Sequence, residues 1–121
     1  PEMFSGEQYD GFLSDTFAAG VTLYNTLLLS YPWPSTEPEA ECKAFAYFRD
    51  KGFEAFARRR KLMGSEKKAI DHLSEPALQF LAGLFQVDPS ARCTLGEAAW
   101  PEDESHRSVW SASWWEHGAA A

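Results

Sequence analysis

The chain has 121 residues, a net charge of -7 and a sequence pI near 4.9, which bounds it to a single domain that buries roughly two-thirds of its unfolded surface. A hydrophobic share of 45% and an aromatic share of 15%, five Trp among them, exclude an intrinsically disordered chain. The acidic balance argues against nucleic acid as a partner, because a phosphate backbone would be repelled overall.

The first predicted helix spans Ser14 to Leu29, "SDTFAAGVTLYNTLLL". Ser14 or Asp15 can cap it, since a short side-chain oxygen accepts a hydrogen bond from an orphan backbone N–H. Its apolar residues cover nearly the whole circumference, which predicts a helix buried on all sides. The prolines of "SYPWPSTEP" end it and impose an extended loop. Helical spacing returns from Glu39 to about Arg49 through Ala40, Ala44, Tyr47 and Phe48. After "DKG", the stretch "FEAFARRRKLM" predicts a short helix with Phe53, Phe56 and Arg60 on one side. The next helix has Ser74 at its N-cap, Pro76 in its first turn and Leu73 placed to staple against Leu78. Its core stripe is Leu78, Leu81 and Phe85, widened by Ala77, Phe80 and Leu84, and Asp88-Pro89 stops it. Thr94 and Glu97 then form a T-x-x-E capping box that predicts a short final helix. The expectation is an all-α fold of about five helices around one buried central helix. Residues 1–101 form the helical domain and residues 102–121 a polar linker with a Trp-rich tail.

Cys42 and Cys93 lie far apart and match no metal-ligand spacing. They read as buried or half-buried reduced thiols, which fits a cytoplasmic or other reducing intracellular compartment. His72, His106 and His117 are scattered and suggest no ligand set. The longest apolar stretch, from Phe17 to Leu29, is interrupted by Thr22, Asn25 and Thr26 and is too short and polar to span a bilayer. No signal-peptide pattern opens the chain, and "PEMF" without an initiator Met suggests a segment of something larger. Arg58, Arg59 and Arg60, with Lys61, Lys67 and Lys68 beyond them, gather charge that suits a nuclear address or an acidic partner, or simply a solvated helix end and loop. Trp33 in the proline loop and Trp110, Trp114 and Trp115 in the tail are candidate protein-binding aromatics, large surfaces that are ordered at small entropic cost, and the tail could equally pack back on the lobe itself.

Taken in order, these elements resemble the C-terminal lobe of a eukaryotic protein kinase domain of the serine/threonine type. Pro1-Glu2 looks like the end of the family's Ala-Pro-Glu motif. Tyr9, Gly11, Asp15, Phe17 and Gly20 are similar to its Tyr-x-Gly and Asp-x-Trp-x-x-Gly, and Asp88, Pro89, Arg92 and Thr94 match Asp-Pro-x-x-Arg-x-Thr. The resemblance covers residues 1 to about 101. It implies that Arg92 pairs with Glu2, a planar guanidinium meeting a carboxylate through two parallel hydrogen bonds. It also implies that Asp15 receives backbone N–H groups of the catalytic loop, and that the basic patch lies on the substrate-facing side of the lobe. Phe17 stands for the usual Trp and Ala18 for the usual Ser, departures that point to a divergent member or a pseudokinase.

Phosphoryl transfer in that family needs a glycine-rich loop, a Lys on the phosphates, Asp and Asn ligands for magnesium and an Asp that orients the hydroxyl. The 121 residues hold no G-x-G-x-x-G and no His-Arg-Asp. No catalytic, metal or cofactor-binding residue is therefore expected here, ATP and magnesium belonging to an intact parent kinase. The expected role is scaffold and protein-binding surface, with a protein partner or the kinase N-terminal lobe as the occupant. The alternative is a non-catalytic, kinase-derived subunit of a larger assembly.

Overall fold

The structure is a computed structural model in which residues 1–95 and 108–109 are described. Among them are four α-helices, α1 (Gly11–Leu28), α2 (Lys43–Lys51), α3 (Phe53–Arg59) and α4 (Glu75–Leu84), joined by short 3-10 turns. Two isolated bridges, Lys61 with Lys68 and Thr94 with Ser108, are the extended pairings among the described residues. The fold is all-α, as expected.

α1 begins earlier than the sequence suggests. Its cap is Asp10, whose Oδ1 accepts hydrogen bonds from the N–H groups of Phe12 and Leu13 at 2.8 and 3.2 Å. Ser14 and Asp15 therefore lie inside the helix, because Asp10 meets the orphan donors one turn sooner. Leu13, Thr16, Phe17, Gly20, Tyr24 and Leu28 are buried, a single stripe at helical spacing. Phe12 and Leu27 are exposed, so among the described residues α1 is buried along one face rather than all round. α4 packs directly on it, while α2 and α3 pair with each other and α3 reaches α4.

The α1–α4 crossing depends on Gly20. A Cβ at this position would stand 2.8 Å from Cε1 of Phe85 and 3.1 Å from Cβ of Leu84. Only a hydrogen atom fits there, which lets the helix backbones approach closely.

Trp33 anchors the core that this crossing opens. It is 6% exposed, stacked on Phe48 at 4.5 Å and ringed by Phe85, Phe45, Phe56 and Phe17 at 5.2 to 5.9 Å. Its expected place among the protein-binding residues is corrected: the proline loop folds back, Pro32 is buried with it, and the indole fills the space between α1, α2, α3 and the residue that ends α4, Phe85. Tyr31 and Leu29 carry the exposed apolar surface of that loop. Leu29 ends α1 in the left-handed region at φ 53, its N–H bonded to the Asn25 carbonyl at 2.8 Å.

α2 starts at Lys43, not Glu39. Pro38–Ala40 makes a separate 3-10 turn, and Glu41 at φ 48 interrupts the helical path before the chain resumes it. Gly52 at φ 89 separates α2 from α3, a left-handed kink that a residue with a Cβ rarely adopts. α4 follows the expectation closely: Ser74 Oγ accepts the Ala77 N–H at 3.3 Å, and Leu73 packs against the main core to which Leu78 belongs. Leu78, Leu81 and Phe85 are buried there, while Phe80 and Leu84 join Val109 in a smaller cluster. α4 stops at Leu84, ahead of Asp88-Pro89, which instead opens a 3-10 turn at Pro89–Ala91. Of the predicted final helix only Thr94 and Leu95 are described. Thr94 is buried and its carbonyl accepts the Val109 N–H at 2.9 Å. Glu97 and the tail beyond Val109 lie outside the described residues.

Candidate functional site

Two charged constellations stand out, and they differ in how their donors are used. The first is built on Arg92, 1% exposed, which the turn after Asp88 carries inward beneath α1. Asp88 shapes that turn by accepting from the Ser90 hydroxyl and N–H at 2.7 and 2.9 Å. Those bonds from Ser90 hold the Asp88 carboxyl below its usual range.

All five N–H groups of the Arg92 guanidinium are spent on the chain's own oxygens. Nε donates to the Gln86 carbonyl at 2.8 Å and Nη1 to the Leu13 carbonyl and Glu2 Oε1, each at 2.6 Å. Nη2 donates to Glu2 Oε2 at 3.1 Å and to the Val87 carbonyl at 3.2 Å. The Phe17 ring covers its face at 5.0 Å. Arg92 thus ties the start of the chain, the first turn of α1 and the end of α4 together. Burial alone would raise the Glu2 carboxyl, but the Arg92 hydrogen bonds, its own backbone amide and the Arg92 charge outweigh it and bring it down to about 2. The pairing expected from the resemblance is present, and Phe17, which stands where the family has Trp, lies over the guanidinium.

Gly20 serves the α1–α4 crossing described above. Asp15 is exposed on the second turn of α1. The carbonyls of Leu13, Gln86 and Val87, which complete the Arg92 shell, were not legible in the sequence, because backbone acceptors leave no residue-type signature.

The second constellation is the basic run. Arg58 pairs with Glu54 at 2.8 Å and Lys61 with Glu66 at 2.9 Å. Between them, Arg59 lies over the Tyr47 ring at 4.9 Å, and Arg60 Nη2 donates to the Tyr31 carbonyl at 3.2 Å. Arg59 and Arg60, with Lys43 and Tyr47, line a cleft of 290 Å³ between α2 and α3. Lys43 and Tyr47 were missed as site residues because they belong to a different helix. Beneath the cleft, burial raises the Tyr24 phenol while the Arg60 charge opposes the rise. A larger cleft of 420 Å³ lies beside Pro1 and is lined by Glu37, Cys42, Phe45 and Arg49. Trp110, Trp114 and Trp115 lie outside the described residues. Among the described residues, no three His, Cys, Asp or Glu side chains converge as a metal site would require, and no helix is long and apolar enough to cross a membrane.

No family model and no solved structure matches the chain. Curated proteins do. The chain is 31% identical over 101 residues to the serine/threonine-protein kinase SAPK3 of Oryza sativa subsp. indica, covering 80% of this chain and 26% of that protein. It is 29% identical over 100 residues to SAPK5 of Oryza sativa subsp. japonica, covering 80% and 23%. With SRK2B of Arabidopsis thaliana it is 29% identical over 99 residues, covering 80% and 24%. The chain therefore spans about a quarter of the length of the curated relatives it matches. Similarity along most of the chain, an all-α architecture and a buried Arg92 clasping Glu2 agree with one another: the chain is related to the serine/threonine protein kinases and corresponds to the helical C-terminal lobe of the kinase domain.

Proposed function

We propose that this chain acts as the scaffold and protein-binding surface of a serine/threonine kinase-type protein and does not by itself transfer phosphate. The observation that carries this reading is the use of Arg92: its guanidinium donates to five oxygens of the chain itself. The Glu2–Arg92 pair therefore holds the fold and offers no donor to a nucleotide. The sequence supplies none of the phosphate- and magnesium-holding motifs in order. Surfaces that remain available are those proteins use, such as exposed Tyr31 and Leu29 and the basic cleft between α2 and α3.

The partner is a protein, either the N-terminal lobe of the parent or another subunit of its assembly, in a reducing intracellular compartment. A non-catalytic, kinase-derived scaffold subunit is the second reading, drawn from Ala18 where the family has Ser. The parent sequence upstream of Pro1 separates the two, since intact His-Arg-Asp, Asp-Phe-Gly and Lys motifs belong only to the first. The test of the shared claim is calorimetric titration of the 121-residue chain with Mg-ATP, with an assay of phosphate transfer to a generic protein substrate alongside. No heat of binding and no turnover above background are expected. Micromolar nucleotide affinity or measurable turnover overturns the reading.

A further inference from the structure

We propose that the loop of residues 3–12 is a docking surface for a basic amphipathic helix of a partner protein, apolar on one face and flanked there by Lys and Arg. The inference deepens the protein-binding reading above and rests on it. Charge is distributed unevenly along the chain. Residues 1–42 hold seven Asp and Glu and no Lys, Arg or His, so the whole net charge of -7 resides there, while the remaining residues balance at 11 acidic and 11 basic. Exposed apolar surface follows the same division. Of the large hydrophobic side chains exposed among the described residues, all but Met63 fall within residues 1–42. Four of them, Met3, Phe4, Tyr9 and Phe12, share a single stretch of the chain and are 47% to 56% exposed.

The fold presents that stretch as one loop. Arg92 Nη1 donates to Glu2 Oε1 and to the Leu13 carbonyl, each at 2.6 Å, which pins both ends of the loop to a single nitrogen. Every residue from Met3 to Phe12 is exposed, so the core absorbs none of the four large apolar side chains. Between the pinned ends the loop is shaped by its own bonds. Ser5 Oγ donates to the Glu2 carbonyl at 2.8 Å and accepts the Glu7 N–H at 3.3 Å, Gly6 turns the chain at φ 77, and Asp10 caps α1. Surface loops with neighbouring ends are frequently functional, and one that is already shaped loses less entropy when a partner arrives. The occupant follows from the chemistry on display. Apolar side chains grouped at the surface call for apolar contact. Glu7 and Asp10 stand among them and make no ion pair among the described residues, which calls for positive charge on the partner. An amphipathic helix supplies both, with an apolar stripe at i, i+3 and i+4 spacing and cations beside it. A second copy of the loop would bring like charges together, and an anionic lipid surface would be repelled.

The test titrates the 121-residue chain with a synthetic Leu/Lys peptide of about 18 residues, long enough to hold a helix, whose Leu stripe is flanked by Lys. Affinity is read by calorimetry and the contact by backbone amide shifts. Two control peptides change one property each: Glu replaces Lys in one, and the other keeps the composition but scrambles the Leu spacing. The Leu/Lys helix should bind more tightly than either control, with shifts centred on residues 3–12, and its affinity should fall as salt is raised. Phe4→Ser combined with Phe12→Ser should weaken it about tenfold or more, and Glu7→Lys about threefold, at unchanged Tm because these side chains are exposed. Met63→Ser, an exposed apolar change outside the stretch, should leave affinity unchanged. Equal binding of either control peptide, or self-association of the chain that Phe12→Ser abolishes, overturns the proposal. Shifts centred elsewhere overturn this site while leaving the protein-binding reading standing. None of these readouts involves nucleotide, so failure here is also distinct from failure of the non-catalytic reading.

Discussion

Glu2 and Arg92 stand 90 residues apart and meet through two hydrogen bonds, of 2.6 and 3.1 Å, that pair both carboxylate oxygens with both terminal nitrogens of the guanidinium. Closing so long a loop costs chain entropy. The fold offsets that cost because the same guanidinium also bonds the carbonyls of Leu13, Gln86 and Val87, making one side chain the joint between three segments.

The first consequence is acid sensitivity. The Glu2 carboxyl titrates near 4.5 when unperturbed and at about 2 in the fold. A depressed pKa of this kind contributes stability that is fully present above pH 4.5 and is lost as the pH falls toward 2. Asp88 shifts in the same direction through its bonds from Ser90. Urea midpoints measured between pH 6 and 2 should fall in the native chain and fall less in Glu2→Gln. Parallel profiles for the two proteins would mean that Glu2 is not held as described.

Gly20 gives a second expectation. An added methyl there meets the Phe85 ring edge at 2.8 Å, so Gly20→Ala should lower stability by about 1 to 2 kcal/mol even though Ala favours a helix by about 1 kcal/mol. Gly83→Ala is the matched control, since its methyl meets only the Sγ of Cys93 closely, the end of a short side chain that can turn. Denaturant melts should rank Gly20→Ala below Gly83→Ala; the reverse order would argue against the α1–α4 crossing.

Trp33 gives a third. Its indole touches rings from three helices, and Trp33→Ala should cost about 3 to 5 kcal/mol, as truncation of a buried aromatic does. Acrylamide quenching of a variant in which Trp33 is the sole tryptophan should report a shielded indole. Efficient quenching would return Trp33 to the surface.

The same residue shows how far the sequence could be read. The helices are marked by their periodicity, and α4 is specified by Ser74, Pro76 and its Leu-Leu-Phe stripe, so its start lies where expected. Trp33 misleads because a proline-rich loop looks exposed, and whether such a loop folds back depends on a cavity formed by Phe17, Phe45, Phe48, Phe56 and Phe85, residues of which the first and last are 68 positions apart. Asp10 was passed over as a cap because Ser14 and Asp15 are equally good in type. The break at Glu41 is a left-handed backbone conformation that no residue identity announced. In the candidate site, Glu2 and Arg92 were legible through motif order, whereas Lys43 and Tyr47 needed the pairing of α2 with α3. The basic run, uniform in sequence, divides in the structure into Arg58 and Lys61, paired with carboxylates, and Arg59 and Arg60, which meet the Tyr47 ring and the Tyr31 carbonyl.

The central claim, that this chain is a kinase-type C-terminal lobe locked by Glu2 and Arg92, is tested most directly by a double-mutant cycle on the two residues. Arg92→Ala should be the worse single change, since it also leaves the Leu13, Gln86 and Val87 carbonyls without their donor. Glu2→Ala should cost about 3 kcal/mol by leaving a buried guanidinium short of its counter-charge. In the double variant the two losses should fall short of their sum by about 2 kcal/mol or more, the interaction between groups in direct contact. Losses that add to within about 0.5 kcal/mol, as independent sites do, would contradict the account.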